Sequence, residues 1–280
     1  MKKMLLAGAV LLAFASGPVA AADMGQPAAP APVYTKAPMM PVYSWTGGYI
    51  GINGGYSWGD SEVATTTISP PLAYFAFSSP PAIATAGAQS IKPNGFTGGG
   101  QIGYNWQASS SVVIGLEADI EYDGLKGSSS ATAVYPCCAP STFTIGENVK
   151  TDWLATFRAR LGYLVTPSTL FYVTGGGAVT NLQANFAFTD TFGATESGAF
   201  NTTKLGWTAG GGVEWAMSGG WSAKAEYLFV SFPTVTTTSN NLNAGIAFPA
   251  QTFTHSADLD AHIVRLGLNY KFGGPVVAKY

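Results

Sequence analysis

Glu117, Asp119 and Glu121 stand two residues apart in VVIGLEADIEY (residues 112–122), and Arg158 and Arg160 stand two apart in WLATFRARLGYLV (residues 153–165). Clustered carboxylates can do acid–base work, bind a metal ion or pair with cations, and the element that carries them decides which. Here that element is a strand. Val112, Ile114, Leu116, Ala118, Ile120 and Tyr122 alternate with the acidic residues, so the carboxylates share one face and the apolar side chains the other. Trp153, Ala155, Phe157, Ala159, Leu161, Tyr163 and Val165 oppose the two arginines in the same way. Neighbouring strands with complementary polar faces put their charges together in an enclosed lumen, as inside a transmembrane β-barrel.

Other chemistry-bearing residues are sparse. His255 and His262 are the only histidines, with His255 beside Ser256 and near Asp258 in a stretch read as loop, where such neighbours are ordinary turn chemistry. His262 falls on an outward strand face. Neither arrangement places nucleophile, base and orienting acid together, so no enzyme is expected. Cys137 and Cys138 are adjacent. They can close only a strained ring, pair between chains or remain thiols. No ligand spacing for a metal and no phosphate-binding glycine pattern occurs, so no cofactor is expected. GGGQIG at 98–103 alternates as strand rather than forming such a loop.

The elements behind these residues are those of an envelope protein. The chain has 280 residues of which 10% are charged, against roughly 25% in ordinary soluble domains. Lys2 and Lys3, an apolar run from Met4 to Ala15 and Ala20-Ala21-Ala22 read as a signal peptide over residues 1–22. Residues 23–44 are Pro- and Ala-rich and read as a periplasmic leader, a tether or a peptidoglycan contact. The barrel is assigned to residues 45–280. No stretch has 18 uninterrupted apolar residues, so spanning requires a closed barrel. The chain carries no basic stripe suited to nucleic acid.

Alternation predicts an all-β fold, an eight-stranded antiparallel transmembrane β-barrel. The strands are Trp45–Trp58, Phe96–Trp106, Val112–Tyr122, Trp153–Val165, Leu170–Asn181, Thr203–Ala216, Trp221–Val230 and Leu259–Phe272, with the face of the fifth left ambiguous by three glycines. Long extracellular loops at 59–95, 123–151, 182–202 and 231–258 alternate with short periplasmic turns. Trp58, Trp106, Tyr122, Trp153, Trp215 and Trp221 lie near strand ends, where interfacial girdles form. The expected lumen network comprises Glu117, Asp119, Glu121, Arg158, Arg160, Lys204, Glu214, Lys224, Glu226, Arg265 and Lys271. One register sets Asp119 opposite Arg158 and Glu117 opposite Arg160, with a slip left open. Eight strands enclose a space that side chains just fill, which favours a plug over an ion-selective pore. Tyr74, Phe75 and Phe77 in the first loop are read as packing over the barrel mouth, or as contacts for a surface partner or haem.

The stretches WTGGYIGINGGYSWG, FRARLGYLVTPSTLFYVTGGGA, GWTAGGGVEWAMSGGWSAKAEYLFV and VRLGLNYKFGGPVVAKY resemble the alphaproteobacterial outer-membrane immunogenic proteins, small porin-like β-barrels of rhizobia and brucellae. The similarity covers nearly all of the mature chain. It implies a Gram-negative outer-membrane location, a "porin family" label and frequent antigenicity, and some members of that family are reported to bind haemin. The chain departs from the usual terminal aromatic, since residues 273–280 follow Phe272. The expected partners are outer-membrane lipids and lipopolysaccharide, the barrel-assembly machinery, and peptidoglycan or host contacts. The expected role is structural and non-enzymatic, with a small-solute channel and a haem or host-ligand receptor as alternatives.

Overall fold

The computed structural model describes residues 43–272. The expected signal peptide, the leader up to residue 42 and the segment 273–280 lie outside the described residues. Within them the chain forms β1 (Gly47–Thr67), α1 (Ser79–Gly87), β2 (Gln89–Ile91), β3 (Asn94–Gln107), β4 (Val112–Asp123), β5 (Lys126–Val134), β6 (Thr142–Thr166), β7 (Thr169–Asp190), β8 (Thr195–Ala216), β9 (Trp221–Ser239) and β10 (Phe253–Lys271). Every pairing between these strands is antiparallel.

Eight strands close a ring in the order β1-β10-β9-β8-β7-β6-β4-β3 and back to β1. Closure is visible at Gly55 of β1, which faces Arg265 of β10 on one side and Thr97 of β3 on the other. A closed ring leaves no unpaired edge within the lipid. β2 and β5 are additional short strands that pair with the outer halves of β1 and β6.

The ring is apolar outside and charged inside. Phe96 is 76% exposed and Ile52 66%, whereas Arg158 is fully buried. That inversion of the soluble pattern is what a lipid solvent selects. Trp58, Tyr122 and Trp207 are exposed where the outer girdle would run, and Trp106, Trp215 and Trp221 where the inner one would. Leu170, Tyr172 and Thr174 of β7 point inward and Phe171 and Val173 outward, which resolves the strand that its glycines left ambiguous.

The four long loops are mostly not loops. β1, β6, β7, β8, β9 and β10 continue well past the outer girdle as strands. Their faces exchange chemistry there. Phe143, Ile145 and Val149 of β6 and Leu182, Ala184, Phe186 and Phe188 of β7 are buried inside, while the alternate positions of both strands, such as Asn148 and Gln183, are more exposed. Outside the membrane the surrounding solvent is water, so the apolar face turns inward again. On β6 a register shift between Thr151 and Leu154 accompanies the change.

The barrel interior is therefore layered. Trp45, Val113, Leu164, Leu170 and Tyr172 form a periplasmic floor. A charged layer follows, then an aliphatic core that includes Ile91, Leu125, Leu182, Leu228 and Leu259. An aromatic lid of Phe75, Tyr135, Phe143, Phe188 and Phe253 ends the stack, with Ile83 of α1 buried in the same cluster.

One seam interrupts the upper wall. Pairing between β8 and β9 stops at Trp207 and Ser231, while β8 continues to Thr195 along β7 and β9 continues to Ser239 along β10. Contacts at the top tie the two strands together again: Asn241 Nδ2 donates to the Ser197 carbonyl at 2.7 Å, and Thr195 bridges Asn243.

Candidate functional site

The charged layer is built by β4, β6, β8, β9 and β10, each of which contributes inward residues by strict alternation. Glu117 Oε1 accepts hydrogen bonds from Arg158 Nη2 at 2.7 Å and Lys224 Nζ at 2.9 Å. Its Oε2 accepts from Tyr49 Oη at 2.7 Å. Asp119 Oδ2 receives Arg158 at 2.5 Å, Arg265 at 3.0 Å and Thr156 at 2.9 Å. Arg265 also donates through Nη1 to Glu121 at 3.0 Å and through Nε to Glu226 at 2.8 Å. Arg160 reaches Glu214 at 2.7 Å and lies 3.9 Å from the centroid of the Tyr172 ring.

These partners differ from the expected register. β4 and β6 are slipped by two residues, so Glu117 faces Arg158 and Gly115 faces Arg160. Arg158 still reaches both acids. The slip leaves Arg160 without a directly opposite acid: it keeps a longer contact to Glu117 at 3.4 Å and adds closer ones to Glu214 and Tyr49.

Two of the eleven expected lumen residues lie elsewhere. Lys204 sits on the upper part of β8, which pairs with β7 but no longer with β9, and among the described residues it makes no ion pair. An inward lysine on a free edge is a recognised defence against strand addition. Pro233, which cannot donate to a ladder, stands near the start of the facing β9 edge. Lys271 lies at the periplasmic end, where Nζ donates to the Thr46 carbonyl at 3.3 Å and sits 5.0 Å from the centroid of the Tyr43 ring. It caps backbone carbonyls rather than lumen carboxylates.

Several lumen residues were absent from the expected network. Tyr49 and Tyr172 each donate to a carboxylate, Glu117 and Glu226, at 2.7 and 2.8 Å. Asp123 accepts from Ser57 at 2.9 Å and Thr151 at 2.7 Å. Continuing the odd-numbered acidic series of β4 by one step would have found it. Gly103 makes room for the Tyr49 ring, since a Cβ there would stand 2.4 Å from it.

A second polar cluster lies above the membrane. His255 is not in a loop with Ser256 and Asp258; it points into the barrel from β10 and is fully buried. Its Nδ1 is 3.0 Å from Thr65 Oγ1, and its Nε2 is 3.2 Å from both Glu196 and Ser239. Thr65 donates to Glu147 at 2.7 Å, and the imidazole stacks on Phe186 with centroids 4.7 Å apart. Burial pushes the Glu147 carboxyl up to about 7, against smaller opposing effects of the Thr65 hydrogen bond and His255. Ser239 and Glu196 meet the same imidazole nitrogen, and Thr65 on the other already donates to Glu147, so each hydroxyl and acid here has a partner within a largely buried cluster. His262 does face outward, where Nδ1 lies 2.7 Å from Tyr227 Oη and the ring stacks on Trp58.

At the extracellular tip Cys137 and Cys138 are bonded to each other, so the intramolecular ring is the alternative adopted. Phe75 is buried in the lid, Tyr74 is half-buried beside it, and Phe77 is 89% exposed.

Comparison with known proteins agrees with this architecture. Residues 7–272 match the family described as "Outer membrane protein beta-barrel domain". The chain is 34% identical over 272 residues to the 31 kDa outer-membrane immunogenic protein of Brucella melitensis, covering 97% of this chain and 100% of that protein. It is 28% identical to the 25 kDa outer-membrane immunogenic protein of Brucella abortus, over 97% of this chain and 99% of that one. To the 22 kDa outer membrane protein of Rhizobium leguminosarum it is 27% identical, over 85% and 82% of the two chains. An inside-out eight-stranded ring and a family match across nearly the whole length coincide: this chain is a Gram-negative outer-membrane protein of the outer-membrane β-barrel family.

Proposed function

We propose that this barrel is a closed structural and antigenic element of the outer membrane, without catalysis and without a solute path. The observation that carries the reading is the filled interior. Arg158, Arg265 and Lys224 bridge carboxylates from β4 and β9 across the lumen. Trp45 and its neighbours pack the floor below, and apolar side chains pack the space above. An ion crossing this stack would have to displace paired charges and then enter a layer of packed apolar side chains, and both steps are costly. The surface-antigen part of the reading follows the relatives, whose names describe them as immunogenic.

Single-channel recording on the purified full-length chain in planar bilayers tests this. No stable unitary steps are expected, either for the wild type or for Arg158→Ala, because the apolar layers remain in place. Stable steps whose size changes with Arg158→Ala or Glu117→Ala would establish the small-solute channel instead.

A further inference from the structure

The extracellular tip holds a feature that a closed structural barrel does not require: a cavity of about 360 Å³ between the first loop, the β5–β6 turn and the β7–β8 turn. Its walls are the rings of Tyr74, Phe75, Tyr135 and Phe192, and one side is the Cys137–Cys138 disulfide. Three separate segments have to be held at a fixed spacing to form it. Asp190 joins all three, beside a backbone hydrogen bond from Thr191 N–H to the Thr142 carbonyl that links the two turns. Its Oδ2 accepts hydrogen bonds from Tyr74 Oη at 2.6 Å and Tyr135 Oη at 2.9 Å, while its Oδ1 accepts the backbone N–H groups of Phe192 at 3.0 Å and Ala194 at 2.8 Å. Burial and the Asp190 carboxylate both push the two phenols well above their ordinary range, so they stay neutral donors.

The lining selects a ligand by what it offers and what it lacks. Tyr135 and Phe192 lie with ring centroids 6.0 Å apart and tilted by 34°, so both contribute aromatic surface to one side. The disulfide adds two polarizable sulfur atoms at a solvent-exposed rim. Ser79 is almost fully buried at the cavity, and its hydroxyl has only a weak 4.0 Å contact with Cys137 Sγ. That hydroxyl can still donate or accept. No charged side chain is among the residues that line the cavity. A lining that is apolar and aromatic, holds one available hydroxyl and carries no counter-charge suits an uncharged ring rather than an anion or a large acidic macrocycle.

We propose that this cavity is a binding site for an uncharged hydroxylated ring, with the apolar face of the ring against Phe192, Tyr135 and the disulfide and one hydroxyl directed to Ser79. A hexose unit of a surface glycan and a small phenolic compound share this chemistry. The site is separate from the lumen, so it stands or falls independently of the closed-barrel reading.

Ligand-observed NMR on the full-length chain in lipid nanodiscs tests it, with methyl glucoside and phenol as separate probes. Nanodiscs avoid sugar-based detergents, which would compete. At least one probe is expected to bind, and the probe that binds identifies the source. Phe192→Ala, at an exposed turn, is expected to weaken binding at least tenfold, and reduction of the disulfide or the double change Cys137→Ser/Cys138→Ser to weaken it severalfold. Glucuronate or benzoate is expected to bind less well than the matching neutral probe, because Asp190 backs the wall. Heat-modifiable gel mobility confirms that each variant is folded. The proposal is overturned if neither probe binds the wild type, or if binding is unchanged in folded Phe192→Ala and in the folded double serine variant.

Discussion

Arg158 and Arg265 arise on β6 and β10, yet their guanidinium groups share the same two carboxylates. Asp119 Oδ2 lies 2.5 Å from Arg158 Nη2 and 3.0 Å from Arg265 Nη2, and Glu226 lies 3.1 Å from Arg158 Nη1 and 2.7 Å from Arg265 Nη2. Each arginine therefore needs acids that the other also holds. Removing one member leaves buried charge uncompensated, which typically costs about 3–5 kcal/mol. Arg158→Ala is expected to destabilise the barrel by that order in urea unfolding from lipid vesicles. The double change Arg158→Ala/Asp119→Ala should cost clearly less than the sum of the single changes. Simple additivity would show that the two side chains are not coupled.

Glu147 makes stability depend on pH. Its folded carboxyl is raised to about 7 from an ordinary 4.5, so between those values the folded chain keeps a proton that the unfolded chain has released. The Glu147 contribution is thus fully present below about 4.5, falls as pH rises towards 7, and is level above that. Glu147→Gln is expected to flatten the slope of melting temperature between pH 4.5 and 7 and to raise stability at pH 8. A wild-type slope retained in the variant would place the titrating group elsewhere.

The seam between β8 and β9 presents two strand edges that face each other without pairing above Trp207 and Ser231. Lys204 and Pro233 guard them. Replacing both with valine is expected to promote association through the exposed edges, visible as higher-mass species in sedimentation. A strictly monomeric double variant would show that neither residue serves as a guard.

Gly198 lets β8 pass close to the buried imidazole: a Cβ there would stand 2.4 Å from His255 Cδ2 and 2.6 Å from Nε2. Gly198→Ala should therefore destabilise the extracellular half by about 1–3 kcal/mol, the range for overpacking. Combining it with His255→Ala should recover part of that loss. The measurement is proteolytic sensitivity of the loops together with thermal unfolding.

Alternation alone places side chains on faces. That was enough to read eight spanning strands, the inward acids of β4, the inward arginines of β6, and the similarity to small outer-membrane barrels. It also put His262 outside. Alternation does not assign partners. Arg265 and Glu121 are 144 residues apart in the chain and meet across the lumen at 3.0 Å, a contact fixed by strand order, register and barrel diameter together. The two-residue slip between β4 and β6 made Glu214 the nearer acid of Arg160 for the same reason.

The extracellular half was harder to read, because the rule for its faces reverses at the membrane surface. Phe143, Ile145, Leu182 and Phe186 follow the same alternation as the spanning strands but bury what those strands expose. The girdle aromatics mark where lipid gives way to water, but nothing local shows that the strands run on beyond them. Lys204 looked like a lumen cation because it follows the inward parity of β8, and only the parting of β8 from β9 shows that it borders a gap. The residue order determined that this chain would form a barrel with a charged interior, since faces follow from a period of two. Tertiary closure decided which charges meet, how far the walls extend and how the interior is sealed, because these depend on neighbours that lie far apart in the sequence.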